Sequence, residues 1–478
     1  MESDAPTTAA RRCRPTGSPK WAGQRFRAFV GLVLAATLLL PASPAAAQSR
    51  RPSFVRDAET EALLGDYARP IFKAAGVQAK DVRLVLVASR EFNAFIIDGG
   101  RIFMNIGVLM DAATPNEVIG VLAHETGHIA GAHQVRFREA LARARNLALL
   151  GAALGGAAMV GSIRSGGGAQ AGQAGAAVMT GSASLAGASL MAYARTEELA
   201  ADRAALNYLE KTGQSAEGML VTFRRFADQM LVARQGMDPY AFSHPMPRER
   251  ISQIEDLATK SKFHGAKDPP ALQARHDLMR AKLTAFMDDP RAVGGKYPAS
   301  DTSLAARYAR AVVAYRRNTP ADAVRLTDEL IREHPSNPYF HELKGQTLLE
   351  WGKPREAIPE LRRAVELAPA GPGAPIRVML GHALVATEDK GLTDEAIRQL
   401  TIAADRDRLD PSPYQHLARA WAMKGNLPKA DLMVATGMFV SGDVMEARRY
   451  AARARDNLKT GTPDWLRADD IVSYKPDQ

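Results

Sequence analysis

Thr114-Pro115-Asn116-Glu117-Val118-Ile119-Gly120-Val121-Leu122-Ala123-His124-Glu125-Thr126-Gly127-His128 is the stretch that decides how this chain folds and what it can do. Thr114 and Glu117 make a capping box, and Pro115 in the first turn forfeits no intrahelical hydrogen bond. The pattern predicts a helix from Thr114 to about Arg145. Within it His124 and His128 stand at i and i+4, on one face, about 6 Å apart along the axis. Two imidazoles at that spacing can bind one zinc ion. Glu125 is turned about 100° from His124, beside the metal, where it can activate a zinc-bound water. The plainer alternative is a helix with two histidines on a polar face, so a further ligand decides the matter.

Downstream, Glu198-Leu199-Ala200-Ala201-Asp202 repeats the i, i+4 spacing with carboxylates. One of them can take the metal while the other accepts the N–H of a zinc histidine. Glu198 is the expected ligand and Asp202 its supporting partner. Glu197 competes, but it lies about 100° off the Asp202 face. His133 is set aside, because a HExxHxxGxxH pattern needs histidine at Gln134. Ser243-His244-Pro245-Met246-Pro247-Arg248-Glu249-Arg250 holds a histidine on a segment stiffened by two prolines. By itself it reads as a surface loop, although His244 could reach a cleft.

Upstream, Phe54 to Ala75 reads as a helix stopped by Gly76. Val82–Val87, Ala94–Ile97 and Ile102–Ile106 read as strands, with Asp98-Gly99-Gly100 as a hairpin turn. The exposed edge of this sheet, with Gly100, Ile102 and Met104, is the expected place for an extended substrate strand to add. Residues 147–190 carry almost no charge and many glycines. They read as two packed small-residue helices joined by a loop, or more sharply as a lid or a membrane-touching segment. Helices follow from about Thr196 to Lys211 and from about Ala216 to Ala233, and residues 266–300 read as a connecting segment.

Beyond residue 300 the chain repeats. Ala323, Ala357, Ala396 and Ala430 are 34, 39 and 34 residues apart, with an insertion near Thr387–Gly391. Gly345, Leu361, Ala364 and Pro369 sit at the offsets of a tetratricopeptide unit, which this region resembles. Residues 301–460 are therefore expected to form a binding solenoid, with 461–478 as a tail.

The 478 residues suggest two or three domains. With 46% hydrophobic and 24% charged residues, the chain is ordinary for a globular protein and unlike a polytopic membrane protein. The net charge of +10 falls to +6 beyond residue 47, too weak to imply nucleic acid. Arg25 and Arg27, the apolar run Ala28–Leu40 and Ala45-Ala46-Ala47 describe a cleaved signal peptide over residues 1–47. As a helix that run would span only ~20 Å, short of the ~30 Å hydrocarbon core. Cys13 is the single cysteine, so neither a disulfide within the chain nor a cysteine-ligated metal site can form.

HExxH, then ExxAD about 70 residues on, then HPxPxxR, is similar to the zinc metallopeptidases that include HtpX and the CAAX prenyl proteases. Asn93-Ala94-Phe95 and Gly99-Gly100-Arg101-Ile102-Phe103-Met104-Asn105 also resemble the hairpin ahead of that family's metal helix. The order of signal peptide, peptidase domain and repeats resembles the periplasmic subgroup, over nearly all of the chain beyond the leader. The resemblance implies a mainly α chain: an α+β gluzincin-type peptidase domain with a small β-sheet over residues 48–265, then the α-solenoid. It implies one zinc ion on His124, His128 and Glu198, with Glu125 as general base and acid. His244 matches a histidine that in the periplasmic subgroup can be a fourth, inhibitory zinc ligand and elsewhere stabilises the oxyanion. Both roles stay open here.

The expected activity is endopeptidase cleavage of misfolded or stalled envelope polypeptides in the periplasm, near the outer membrane. The solenoid would recruit substrates or outer-membrane assembly machinery, and peripheral membrane contact is compatible with the apolar 147–190 segment. The rival reading is a chaperone or adaptor with a silent zinc site. A prenyl-protein protease would need several spanning helices, which this chain lacks.

Overall fold

The structure, a computed structural model, describes residues 53–97, 99–164, 169–232, 248–369 and 373–475. The leader expected at 1–47 and His244 lie outside the described residues. Residues 53–478 form one compact unit.

The sheet has four strands: β1 (Phe54–Val55), β2 (Arg83–Val87), β3 (Ala94–Ile96) and β4 (Arg101–Asn105). Their spatial order is β1-β2-β4-β3. β3 and β4 are the expected antiparallel hairpin, with Gly99 at φ +72° in the turn. β2 runs parallel to β4, and β1 pairs antiparallel with β2. β4 is thus an interior strand, which corrects the expected substrate edge. Ile102 and Met104 are buried, and β4 is paired on both sides. The edge strands are β1 and β3. Phe54 and Val55 belong to the sheet rather than to the first helix, which is α1 (Ala58–Ala75), capped by Asp57.

After the short α2 (Ile106–Asp111) comes α3 (Pro115–Ala130). The Thr114 hydroxyl accepts from the Glu117 N–H, and Glu117 accepts from the Ala113 N–H at 2.9 Å, which closes the box at one end. Every residue from Pro115 to His128 is buried. α3 packs against α1, β3 and four later helices. It ends where Ala132 takes φ +51°, so the single helix expected to Arg145 is two, with α4 (His133–Arg164) setting off anew. α4 and α5 (Ala169–Thr212) form a long antiparallel pair. α6 (Glu217–Val232), α7 (Arg248–Ala258) and α8 (Pro270–Met287) complete the surroundings of the core of Leu63, Tyr67, Ile71, Met104, Leu122 and Phe223.

α9 (Pro290–Lys296) leads into paired antiparallel helices. They are α10 (Leu304–Arg316) with α11 (Pro320–Glu333), α12 (Pro338–Glu350) with α13 (Pro354–Leu367), α14 (Ala374–Ala386) with α15 (Thr393–Arg406), α16 (Ser412–Met423) with α17 (Leu427–Val440), and α18 (Val444–Asn457) with α19 (Pro463–Ser473). Small residues sit where the paired helices cross: Gly345 lies against Leu361, and Ala418 is buried, as are Ala357 and Ala396. The segment expected to be a C-terminal tail contains α19, which packs on α17 and α18.

The start of α1 is seated on the repeats. Ala58 clusters with Ala364 and Ile376. Arg56 pairs with Asp407 at 2.7 Å and Asp410 at 3.0 Å. The buried Lys282 ammonium faces Asp57 at 2.5 Å, Glu59 at 3.5 Å and Glu342 at 3.8 Å, and the Tyr308 hydroxyl donates to Glu59. The start of α1, α8 and the repeats thus meet around one buried lysine.

Candidate metal centre

His124 and His128 turn their Nε2 atoms toward each other on the buried face of α3, 3.1 Å apart. α5 brings Glu198 to the same point, because Gly127 lets it come close. A Cβ at Gly127 would fall 2.9 Å from the Ala201 carbonyl oxygen. Glu198 Oε2 lies 3.5 Å from His124 Nε2, and Oε1 lies 3.3 Å from His128 Nε2. Atoms bound at ~2.0–2.2 Å around a tetrahedral zinc ion are about 3.3 Å apart. The three side chains therefore fit such an ion, and among the described residues they are the one His/Asp/Glu group so arranged.

Each of the three has a second partner. Asp202 Oδ1 is 3.0 Å from His124 Nδ1. Arg250, itself buried, grips Asp202 through Nε and Nη2 at 2.8 Å each, and Glu198 Oε2 through Nη1 at 2.8 Å. Its guanidinium and the His124 ring both pack on Phe223. His128 Nδ1 is 2.9 Å from His133 Nδ1, and His133 Nε2 is 2.9 Å from Glu197, which Arg136 also holds.

Burial works against charge on His124, but hydrogen bonds to Asp202 and Glu198 lift its pKa to about 10. Burial likewise pushes the Asp202 carboxyl up, and His124 and Arg250 more than offset it, so it lies below the ordinary carboxylate range.

The sequence profile described as peptidase family M48 matches residues 57–258. Those residues are a peptidase of family M48. The chain is a metalloprotease, with the M48 domain ahead of a tetratricopeptide-type repeat region. It is 25% identical to a beta-barrel assembly-enhancing protease of Yersinia pestis, over 85% of this chain and 82% of that one. It is 24% identical to the beta-barrel assembly-enhancing protease of Escherichia coli strain K12, over 80% and 76%. Among solved structures, "YrrB: a TPR protein with an unusual peptide-binding site" aligns at a TM-score of 0.30 and 21% identity, over 37% of this chain and 90% of that one.

The M48 domain brings His124, His128, Glu198 and Asp202 together, with Glu125 buried on the same helix. It sets Gly100, Ile102 and Met104 in and beside an interior strand. The sequence reading assigned Arg250 no role, although the HPxPxxR pattern ends on it. His133 and Glu197 were weighed only as ligands. They stand one step out, where spacing rules for direct ligands do not look.

Proposed function

We propose that this metalloprotease holds one zinc ion on His124, His128 and Glu198 and hydrolyses peptide bonds of misfolded or stalled envelope polypeptides in the periplasm. The convergence of those three side chains at tetrahedral spacing carries the reading. When bound, the ion lowers the pKa of water to ~7 and polarises the scissile carbonyl. Glu125 takes the proton of the attacking water and passes it to the leaving amide nitrogen. Asp202 fixes the His124 ring, and Arg250 fixes both carboxylates. An extended substrate pairs along β3, the edge strand beside α3. His244 would close the site as a further ligand or stabilise the oxyanion.

The names of the relatives support a place in outer-membrane protein assembly, with the repeats recruiting substrates or assembly machinery. Metal analysis of the purified chain beside cleavage of an unfolded casein substrate tests the reading. One zinc per chain is expected, with cleavage lost on chelation and restored by zinc. Cleavage that survives full chelation overturns it. His244→Ala should raise basal cleavage if the imidazole is an inhibitory ligand, and lower it if it steadies the transition state.

A further inference from the structure

The α4–α5 pair is built inside out for a water-soluble protein. Small residues line its seam: Gly151, Gly155 and Ala186 are buried, and a Cβ on Gly151 would overlap the Ser182 side chain. The large apolar side chains face away from the seam. Leu150, Leu154 and Leu185 are 62%, 66% and 66% exposed, and Leu149, Val160 and Val178 are exposed with them. Each leucine left in water forgoes the gain of burying its side chain. In lipid that cost vanishes, and helices join through small residues because acyl chains solvate leucine as well as a neighbouring helix does.

Charge follows the same plan. From Asn146 to Ala194 the sequence holds one charged residue, Arg164, in 49 positions. At the root of the pair, Arg136, Arg138, Arg143, Arg145 and Arg195 are all exposed, against Glu139 and Glu197. A basic collar below an apolar projection complements an anionic lipid headgroup layer. Leu147 to Val160 rises about 20 Å, against ~15 Å for one leaflet of a ~30 Å hydrocarbon core. Among the described residues no helix is long and apolar enough to cross a membrane.

We propose that the α4–α5 pair dips into one leaflet of an anionic bilayer, with the arginine collar at the headgroups. α4 starts at His133 and α5 carries Glu198, so the metal centre is held about three helical turns from Arg143, over the membrane surface. This goes beyond the proteolytic reading and does not depend on it, since binding can be read with the metal removed.

The test is vesicle flotation of the chain from Gln48 onward, with phosphatidylethanolamine vesicles containing phosphatidylglycerol and with pure phosphatidylcholine. Flotation with the anionic vesicles is expected, weakened by salt. Leu150→Asp with Leu154→Asp should lower vesicle affinity tenfold or more, and Arg143→Glu with Arg145→Glu should do so for anionic vesicles only, about thirtyfold or more. Cleavage of soluble casein should be unchanged in both. Leu154→Trp should be quenched by brominated lipid. Failure of the parent chain to float with any vesicle overturns the proposal. So does a leucine variant that floats normally, that turns an oligomer into a monomer in vesicle-free solution, or that loses cleavage of soluble casein.

Discussion

The Nδ1 atoms of His128 and His133 face each other at 2.9 Å, and His133 hands the contact on to Glu197 at 2.9 Å. With Nε2 of His128 turned to the metal position, its Nδ1 carries the proton and donates to His133, whose Nε2–H then donates to Glu197. The row fixes both tautomers and the ring plane of His128. His133→Ala should weaken metal affinity about 10–100-fold. Competition with a calibrated chelator reads this directly, and Glu197→Gln should fall between it and the parent.

Glu125→Gln should reduce cleavage of unfolded casein by about 10²–10⁴-fold, the usual share of general acid–base catalysis. Zinc content should stay at the parent level, because the amide keeps the shape of the side chain. Persistent cleavage at full metal occupancy would remove Glu125 from its proposed role.

Arg250→Ala leaves Asp202 and Glu198 as buried carboxylates without their common cation. Breaking a buried pair from one side costs about 3–5 kcal/mol. The melting temperature of metal-free protein should drop accordingly. Arg250→Lys should rescue little, since a point charge cannot reproduce contacts from three nitrogens to two carboxylates.

Burial drives Glu59 and Glu342 up to about 7, in spite of Lys282. Both are raised above their unfolded value near 4.5. Their contribution to stability is therefore full below that value and lost as pH rises through about 7. Asp57 is held below the ordinary carboxylate range by Lys282 and Thr60 against burial, so it titrates outside this window. Thermal melts of Glu59→Gln and the parent, compared at pH 5 and pH 8, should show the variant gaining relative stability at the higher pH.

The metal helix was legible because its capping box and its i, i+4 histidines are local facts, set by one helical period. The i, i+4 carboxylates Glu198 and Asp202 were legible for the same reason two helices later, and the repeats because a small residue must recur wherever two helices cross closely. The break at Gly131-Ala132 was not, because Ala132 adopts a positive φ that nothing in its side chain invites. The edge of the sheet was misplaced because β2 joins β4 in parallel, a pairing that a hairpin signal does not announce. The unbroken apolar run Ile102-Phe103-Met104, buried on both faces, was the available clue. Arg250 and His133 act through other residues, so only three-dimensional neighbours reveal them.

Arg56 follows directly on the outermost strand of the sheet and is tied to Asp407 and Asp410 in the repeats. The start of α1, just past β1, is thus fastened to the repeats at the edge of the sheet opposite β3. Separating the peptidase domain from the repeats would take Glu342 and Tyr308 away from Lys282 and Glu59, and leave a buried lysine and its carboxylates open to water.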